Sequence, residues 1–252
     1  MRVVRRFLLV VLALVAWELV ARSGRVSPII CPSLVDVARQ TALLAVTGDR
    51  LVDAWQSLYR ALAGFALAVS LGVPLGAVLG RVRWLERLLE PLLSSTYPVP
   101  KIALYPIFVF AFGIGGLSKI ALVALECLYP IVLNTAAGVR AVDRVLVWSA
   151  LSMGASRGQV LAKIVVPAAA PGIFAGFRVA LPIALIVVII CEMIGSADGL
   201  GYLVMASLAD LRTDRMLAGV VAIALIGVGL DALLVHARSR AIFWEKQASY
   251  FA

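Results

Sequence analysis

The sequence predicts an all-α polytopic membrane protein with about six transmembrane helices, on three observations. Of 252 residues, 63% are hydrophobic and 15% charged, with a mean hydropathy of +1.03. A soluble domain lies nearer half apolar and a quarter charged, so most of this surface must face lipid or other buried helices. Apolar runs recur along the chain, and the basic residues gather in the short loops between them. One of those loops, residues 141–167, is itself amphipathic and carries its own helix start and stop signals. The net charge of +9 is therefore a membrane-orientation pattern rather than a nucleic-acid footprint, and no nucleic-acid partner is expected.

Met1 to Arg6 is basic, and Phe7 to Ala21 is apolar apart from Glu18. Several apolar spans follow, so this reads as an uncleaved first transmembrane helix rather than a secretory signal. Trp17 and Glu18 fall at its far interface. In the polar interval 22–54, Pro32-Ser33 with Asp36 predicts a capping box. Leu34, Val37, Ala38, Thr41, Leu44 and Ala45 then recur at helical spacing up to Gly48, a short helix lying on the membrane surface.

Ser57 to Gly80 is the second span. Gly64, Ala68, Gly72, Gly76 and Gly80 recur every four residues and form one small-residue face, which lets helix backbones approach closely in lipid. Arg81 to Lys101 is basic and broken by Pro91, Pro98 and Pro100. Ile102–Phe112 and Leu117–Ala137 are the third and fourth spans. The third is short against the roughly 20 residues of a crossing and is expected to draw in part of Leu92–Pro100. Ala168–Gly195 is the fifth span, with a second stripe at Gly172, Gly176, Ala180 and Ala184 and with bends permitted at Pro171 and Pro182. A polar return from Ser196 to Asp214 carries Asp198-Gly199-Leu200-Gly201-Tyr202. Arg215–Ala237 is the sixth span. The chain thus divides into 1–54 (first span and surface helix), 55–237 (membrane core) and a basic-aromatic tail, 238–252.

Placing loop 141–167 and both termini inside puts fourteen of the 23 lysines and arginines in inner segments. Seven fall in outer segments, and Arg60 and Arg178 lie within spans. The positive-inside bias selects that orientation.

Within the loop, Asp143 caps a first helix running to about Met153, and Gly154 breaks it. Ser156 and Gln159 form a capping box for a second helix. Val160, Leu161, Ile164 and Val165 give that helix an apolar side, and Pro167 marks its end or a sharp kink. Gly154, nine residues, Ile164, two residues and Pro167 resemble the EAA loop of ABC-importer permeases. The segments VVPAAAPGI, GFR, EMIG and GLGYL between Val165 and Leu203 resemble the nitrate/sulfonate/taurine-type subfamily. Two positions depart from the family pattern: Trp148 stands at the motif's glutamate and Ser149 at its first alanine, leaving Ala150 of the triplet.

The resemblance implies a bacterial inner-membrane subunit working as a homodimer, with facing fifth helices lining the path. It implies two cytoplasmic ATP-binding subunits docked on an elbow that includes Trp148, Ser149, Ala150, Gly154, Ala155, Ser156, Ile164 and Pro167. It also implies an extracytoplasmic solute-binding protein on the outer loops. The solute would be a small anion such as nitrate, a sulfonate or taurine; the alternative is a thiamine-pyrimidine precursor or another small aromatic. Arg178, Glu192, Asp198 and Tyr202 are the pore or gate candidates, and Gly72, Gly76, Gly172 and Gly176 the helix-packing ones.

No lysine follows a glycine, so there is no Walker A loop; ATP and Mg are expected on the partner subunits, and no cofactor or metal in this chain. H-E-x-x-H and G-x-S-x-G are absent, and His236 is the one histidine, so an enzyme is not expected. Cys31, Cys127 and Cys191 lack metal or redox spacing. A stand-alone secondary transporter or channel is the rival class, but the inverted repeats such proteins show are not evident.

Arg60, Glu126, Arg178, Glu192 and Asp231 are charges inside spans, which face a partner or water. Arg60, near its helix end, is expected to snorkel to the interface. Arg178, about 15 Å past Pro167, either pairs with Glu126 or Asp231 or lines a wet path. Glu192 shapes an outer gate or docking rim, or is simply solvated at the interface.

Overall fold

The structure, a computed structural model, describes residues 2–96 and 98–244. Positions 245–252 of the expected tail, Lys246 among them, lie outside the described residues. Eleven α-helices are found there: α1 (Arg2–Arg22), α2 (Leu34–Val46), α3 (Gly48–Arg81), α4 (Arg83–Thr96), α5 (Tyr105–Phe112), α6 (Gly116–Arg140), α7 (Arg144–Ser152), α8 (Arg157–Val160), α9 (Val166–Gly195), α10 (Leu200–Ala209) and α11 (Thr213–Ala241). A 3₁₀ turn, Lys101–Leu104, leads into α5, and a π turn, Leu161–Val165, joins α8 to α9.

Four of the described helical segments are long and apolar enough to cross a bilayer: Arg50–Arg81, Gly116–Arg140, Arg157–Gly195 and Thr213–Ala241. α1, at 21 residues, has the length of a span. The third run departs from expectation. It spans only Lys101–Phe112, because α4 stops at Thr96 and the chain restarts as 3₁₀ after Pro100 instead of recruiting Leu92–Pro100.

The chain forms two compact units. The first comprises Met1–Leu58 and Ile189–Ile226. In it, α1 is latched to the start of α2. Trp17 Nε1–H donates to the Pro32 carbonyl at 3.0 Å, while Glu18 accepts from Ser33 Oγ (3.1 Å) and from the Leu34 amide (2.7 Å). Ser33 does cap α2, but through the Val35 amide rather than that of Asp36, and Glu18 accepts the Leu34 amide. A carboxylate from the preceding helix thus serves a first-turn amide of α2.

The second unit comprises Tyr59–Val188 and Gly227–Ala252, with α6 at its centre. The α3 stripe meets one side of α6: a β-carbon at Gly72 would lie 2.8 Å from Ile131 Cγ2, and one at Gly76 2.7 Å from both Thr135 Cβ and the Val132 carbonyl. The α9 stripe meets α6 as well. A β-carbon at Gly172 would lie 2.7 Å from Gly138 Cα, and one at Gly176 3.0 Å from Asn134 Cβ. Ala180 and Ala184 are completely buried, and the Cys127 thiol of α6 reaches the Ala180 carbonyl at 3.3 Å. α4 lays Leu85 and Leu89 against Leu79, Val132 and Ala136, and Arg140 pairs with Glu86.

Two cations depart from expectation, Lys101 read as a loop charge and Arg60 as snorkelling to the interface. Lys101 is 5% exposed, 3.7 Å from Glu126 and 4.1 Å from the Tyr129 ring centroid. Glu126 lies ten residues into α6, about 15 Å along it. Lys101 is therefore no inner-loop charge but half of a buried pair with a cation–π contact. Arg60 is 7% exposed, and α3 begins at Gly48, so the residue lies some three turns inside its helix and does not snorkel.

Candidate functional site

The elbow is built from local signals up. Asp143 Oδ1 accepts the Val145 amide at 2.8 Å and opens α7. At the other end Gly154 takes φ +83°, its amide bonding the Leu151 carbonyl (3.0 Å) while the Ala155 amide bonds the Ala150 carbonyl (3.1 Å). Those two bonds make a Schellman motif, whose left-handed position glycine occupies without strain. The turn hands directly to the second cap: Ser156 N–H donates to Gln159 Oε1 (2.9 Å) and Gln159 N–H to Ser156 Oγ (3.3 Å).

Pro167 neither ends this second helix nor breaks it. Its ring would collide with the carbonyl four residues back in an α-helix, and it has no amide to offer. The π turn at Leu161–Val165 shifts the ladder just before it, with the Val166 amide bonding the Leu161 carbonyl, and the chain stays helical from Arg157 to Gly195.

One side of the elbow is core. Val147, Ala150, Val160 and Val165 are all under 9% exposed and pack with Ala77, Val139, Ala169 and Ile173; Ala155 and Ile164 add to the cluster. The other side is bare. Trp148 is 62% exposed and Met153 80%, with Val145, Leu146 and Leu151 beside them and Arg144, Arg157 and Lys163 exposed around them. The two departures from the family triplet both lie on this outward side, since Ser149 is exposed too, whereas the retained Ala150 faces inward where a larger side chain would collide. The elbow is thus fixed from behind and presents a contiguous apolar patch in front.

A second cluster forms around α10. Its N-cap amide and its first two helical amides each find an acceptor: Gly199 N–H on Asp53 Oδ1 (2.8 Å), Leu200 N–H on Ser57 Oγ (2.9 Å) and Gly201 N–H on Glu192 Oε2 (3.1 Å). Ser57 Oγ–H donates in turn to Glu192 at 2.6 Å. Glu192 is 1% exposed, which removes interfacial solvation as its explanation: its carboxylate is an internal cap. Asp198 accepts from Ser196 Oγ at 3.0 Å in the preceding turn. Tyr202, 40% exposed, lines a cavity of about 220 Å³ with Gln40, Arg50, Asp53, Asp210 and Arg215. Asp53 and Ser57 were not singled out from sequence, although two polar residues four apart at the start of an apolar helix share a face and were a readable signal.

Arg178 belongs to the other unit and to neither cluster. Its Nε lies 3.6 Å from Asp231 Oδ1 on α11, so of the two carboxylates considered Asp231 is the partner, Glu126 being taken by Lys101. Both side chains remain about half exposed, 52% and 47%. Arg178 is twelve residues into α9, about 18 Å along it, and Asp231 ten residues from the end of α11, about 15 Å. A charge at such depth facing lipid costs about 2.5–3.5 kcal/mol even on the mildest scales.

A helical protein with several bilayer-length spans, interrupted by a packed elbow that exposes an apolar patch, is a multi-pass membrane protein. The chain belongs to the family described as "Binding-protein-dependent transport system inner membrane component", whose profile matches residues 72–242. It is 30% identical over 229 residues to the "Putative aliphatic sulfonates transport permease protein SsuC" of Bacillus subtilis (strain 168), covering 91% of this chain and 83% of that one. It is 34% identical over 239 residues to the "Taurine transport system permease protein TauC" of Escherichia coli (strain K12), covering 92% and 86%. Among solved structures, an inward-facing form of the MetNI methionine ABC transporter matches with a TM-score of 0.63 at 19% identity. That match covers 76% of this chain and 94% of the solved one, a likeness of fold. The chain is an ABC-importer permease subunit of the inner membrane.

Proposed function

We propose that this chain forms half of the translocation pathway of an ATP-driven importer for a small oxyanion, an aliphatic sulfonate or taurine, and works as two copies. The observation that carries the reading is the elbow. Trp148 and Met153 project from a segment whose other side is locked into the core by Val147, Ala150, Val160 and Val165, so force applied to the knob reaches α9 through packed side chains. Its cytoplasmic ATP-binding subunits would seat the knob in an apolar groove with an acidic rim facing Arg144, Arg157 and Lys163. ATP binding would draw two elbows together and open the pathway outward. With no lysine after a glycine, hydrolysis and Mg stay on those partners.

In this reading both termini and the elbow face the cytoplasm, and the α10 region faces outward to receive a loaded binding protein. The solute class rests on the sulfonate and taurine transport named for the two relatives above. The test is reconstitution of the chain in proteoliposomes with its ATP-binding subunit and its solute-binding protein. ATP-dependent, binding-protein-dependent uptake of labelled taurine or an alkyl sulfonate is expected. Uptake without ATP or binding protein would instead establish a stand-alone transporter.

A further inference from the structure

The Arg178–Asp231 pair has features that a merely structural ion pair lacks. At 3.6 Å the two are beyond hydrogen-bond reach, and among the described residues none hydrogen-bonds the Arg178 guanidinium. Five N–H donors in a planar fork are therefore held by charge alone. The pair lies deep along both its helices, yet half of each side chain is open. Lipid does not solvate such a pair, and a dry protein contact would strand the fork's donors. Water does neither.

The surroundings select the ligand. Arg178 stands on the face of α9 turned away from α6; its exposed neighbours Val179 and, two turns on, Ile186 are apolar. One guanidinium on an apolar wall suits a small oxyanion with a short hydrocarbon body, since the fork matches two oxygens of a sulfonate side by side. Asp231 then holds the guanidinium's charge while the site is empty and gives way when the anion arrives.

We infer that Arg178 is an oxyanion-binding residue on a water-filled path through the protein, with Asp231 as its displaceable counter-ion. This rests on the importer reading above and names the residue that meets the solute's charged end.

The test uses the reconstituted complex with Cys31, Cys127 and Cys191 replaced by alanine. An Arg178→Cys substitution should react with the water-soluble anionic thiol reagent sulfonatoethyl methanethiosulfonate. Adding Asp231→Asn should speed that reaction several-fold, because a fixed negative charge no longer repels the probe. For uptake of labelled alkyl sulfonate, Arg178→Lys, which keeps the charge and loses the fork, should fall about tenfold with the complex still assembled. The exchanged pair, Arg178→Asp with Asp231→Arg, should assemble but stay at least tenfold down.

Uptake restored by the exchanged pair, or a cysteine inert to the reagent in an assembled complex, overturns the inference, since each makes the pair structural. The labelling arm needs no solute. If the wild-type complex assembles and hydrolyses ATP yet carries no sulfonate, the solute reading fails on its own, while the reagent still reports whether residue 178 is wet.

Discussion

Ser57 Oγ and Glu192 Oε2 lie 2.6 Å apart in a site where Glu192 is 1% exposed, and the same hydroxyl accepts the Leu200 amide. One serine thus satisfies a buried carboxylate and the first turn of α10 together. α3, α9 and α10 meet there, with the N-cap amide and the first two amides of α10 accepted.

Ser57→Ala is expected to cost about 2 kcal/mol, because it removes the Leu200 amide's acceptor and one of the donors to a buried carboxylate oxygen that keeps the Gly201 amide. Glu192→Ala should cost at least as much, and Glu192→Gln, which keeps an acceptor for Gly201, less. Thermal unfolding of the detergent-solubilised chain gives the order; a Glu192→Ala midpoint equal to wild type would refute the internal-cap role.

The glycine faces on α6 predict a contrast within one residue type. Gly76→Ala and Gly172→Ala place a methyl group within 2.7 Å of α6 atoms, some of them backbone, and should destabilise by about 1–3 kcal/mol. Gly229→Ala, with nothing within 4 Å, should be neutral or stabilising by up to about 1 kcal/mol. Equal effects at all three positions, measured by the same unfolding assay, would mean the close approach is unimportant.

If two copies meet along α9, the contact cannot use its small-residue stripe, since Ala180 and Ala184 are buried within the chain. Cysteines at Val179 and Ile186, 45% and 56% exposed, should cross-link between copies in a cysteine-free background, and cysteines at 180 and 184 should not. The reverse pattern, read on a non-reducing gel, would place a different face of α9 at the contact.

At the elbow, strain and bulk can be separated. Gly154 has φ +83° and open space around its α-carbon, so Gly154→Val is penalised by backbone conformation, about 1–2 kcal/mol, and by bulk at the proposed docking surface. Gly154→Asn tolerates the left-handed region far better. The expected result is that Val abolishes co-purification of the ATP-binding subunit while the chain still inserts, and that Asn retains much of it. Wild-type binding and uptake by Gly154→Val would sink the coupling role.

Trp148→Ala should weaken that docking by about 2 kcal/mol, roughly thirtyfold in affinity, as loss of an aromatic anchor does. Trp148→Glu restores the family's residue at an exposed position and should fold normally. Affinity of the solubilised variants for the ATP-binding subunit decides whether the tryptophan is an anchor or a bystander.

Much of this was legible in the sequence because it is local. Asp143, Gly154 and the Ser156/Gln159 box each act within a few residues, so spacing alone places them. The glycine stripes were legible as faces but not as addresses: periodicity says that Gly72 and Gly176 share a kind of surface, and only the fold says that both surfaces press on α6. What sequence missed was long-range charge. Lys101 looks like a loop cation until Glu126 is found beside it, and Glu192 looks interfacial until Ser57, 135 positions earlier, is found beneath it. Pro167 misled for another reason: the rule that proline stops a helix assumes α geometry in the turn before it, and here that turn is π.

The π turn at Leu161–Val165 also has a meaning for how such chains diverge. It holds one residue more than an α turn, so losing a single residue there, Ala162 for example, would tighten the helix without shortening either neighbour. The elbow would swing by about 100° around the axis of α9, one residue's rotation. An indel of one codon would then re-aim the knob at the expense of its packing on Val139, while the Gly172 and Gly176 contacts on α6, which lie beyond the turn, stayed in place. The spare residue sits between the elbow and the stretch of α9 that packs on α6, so a change of aim there leaves that stretch its own register.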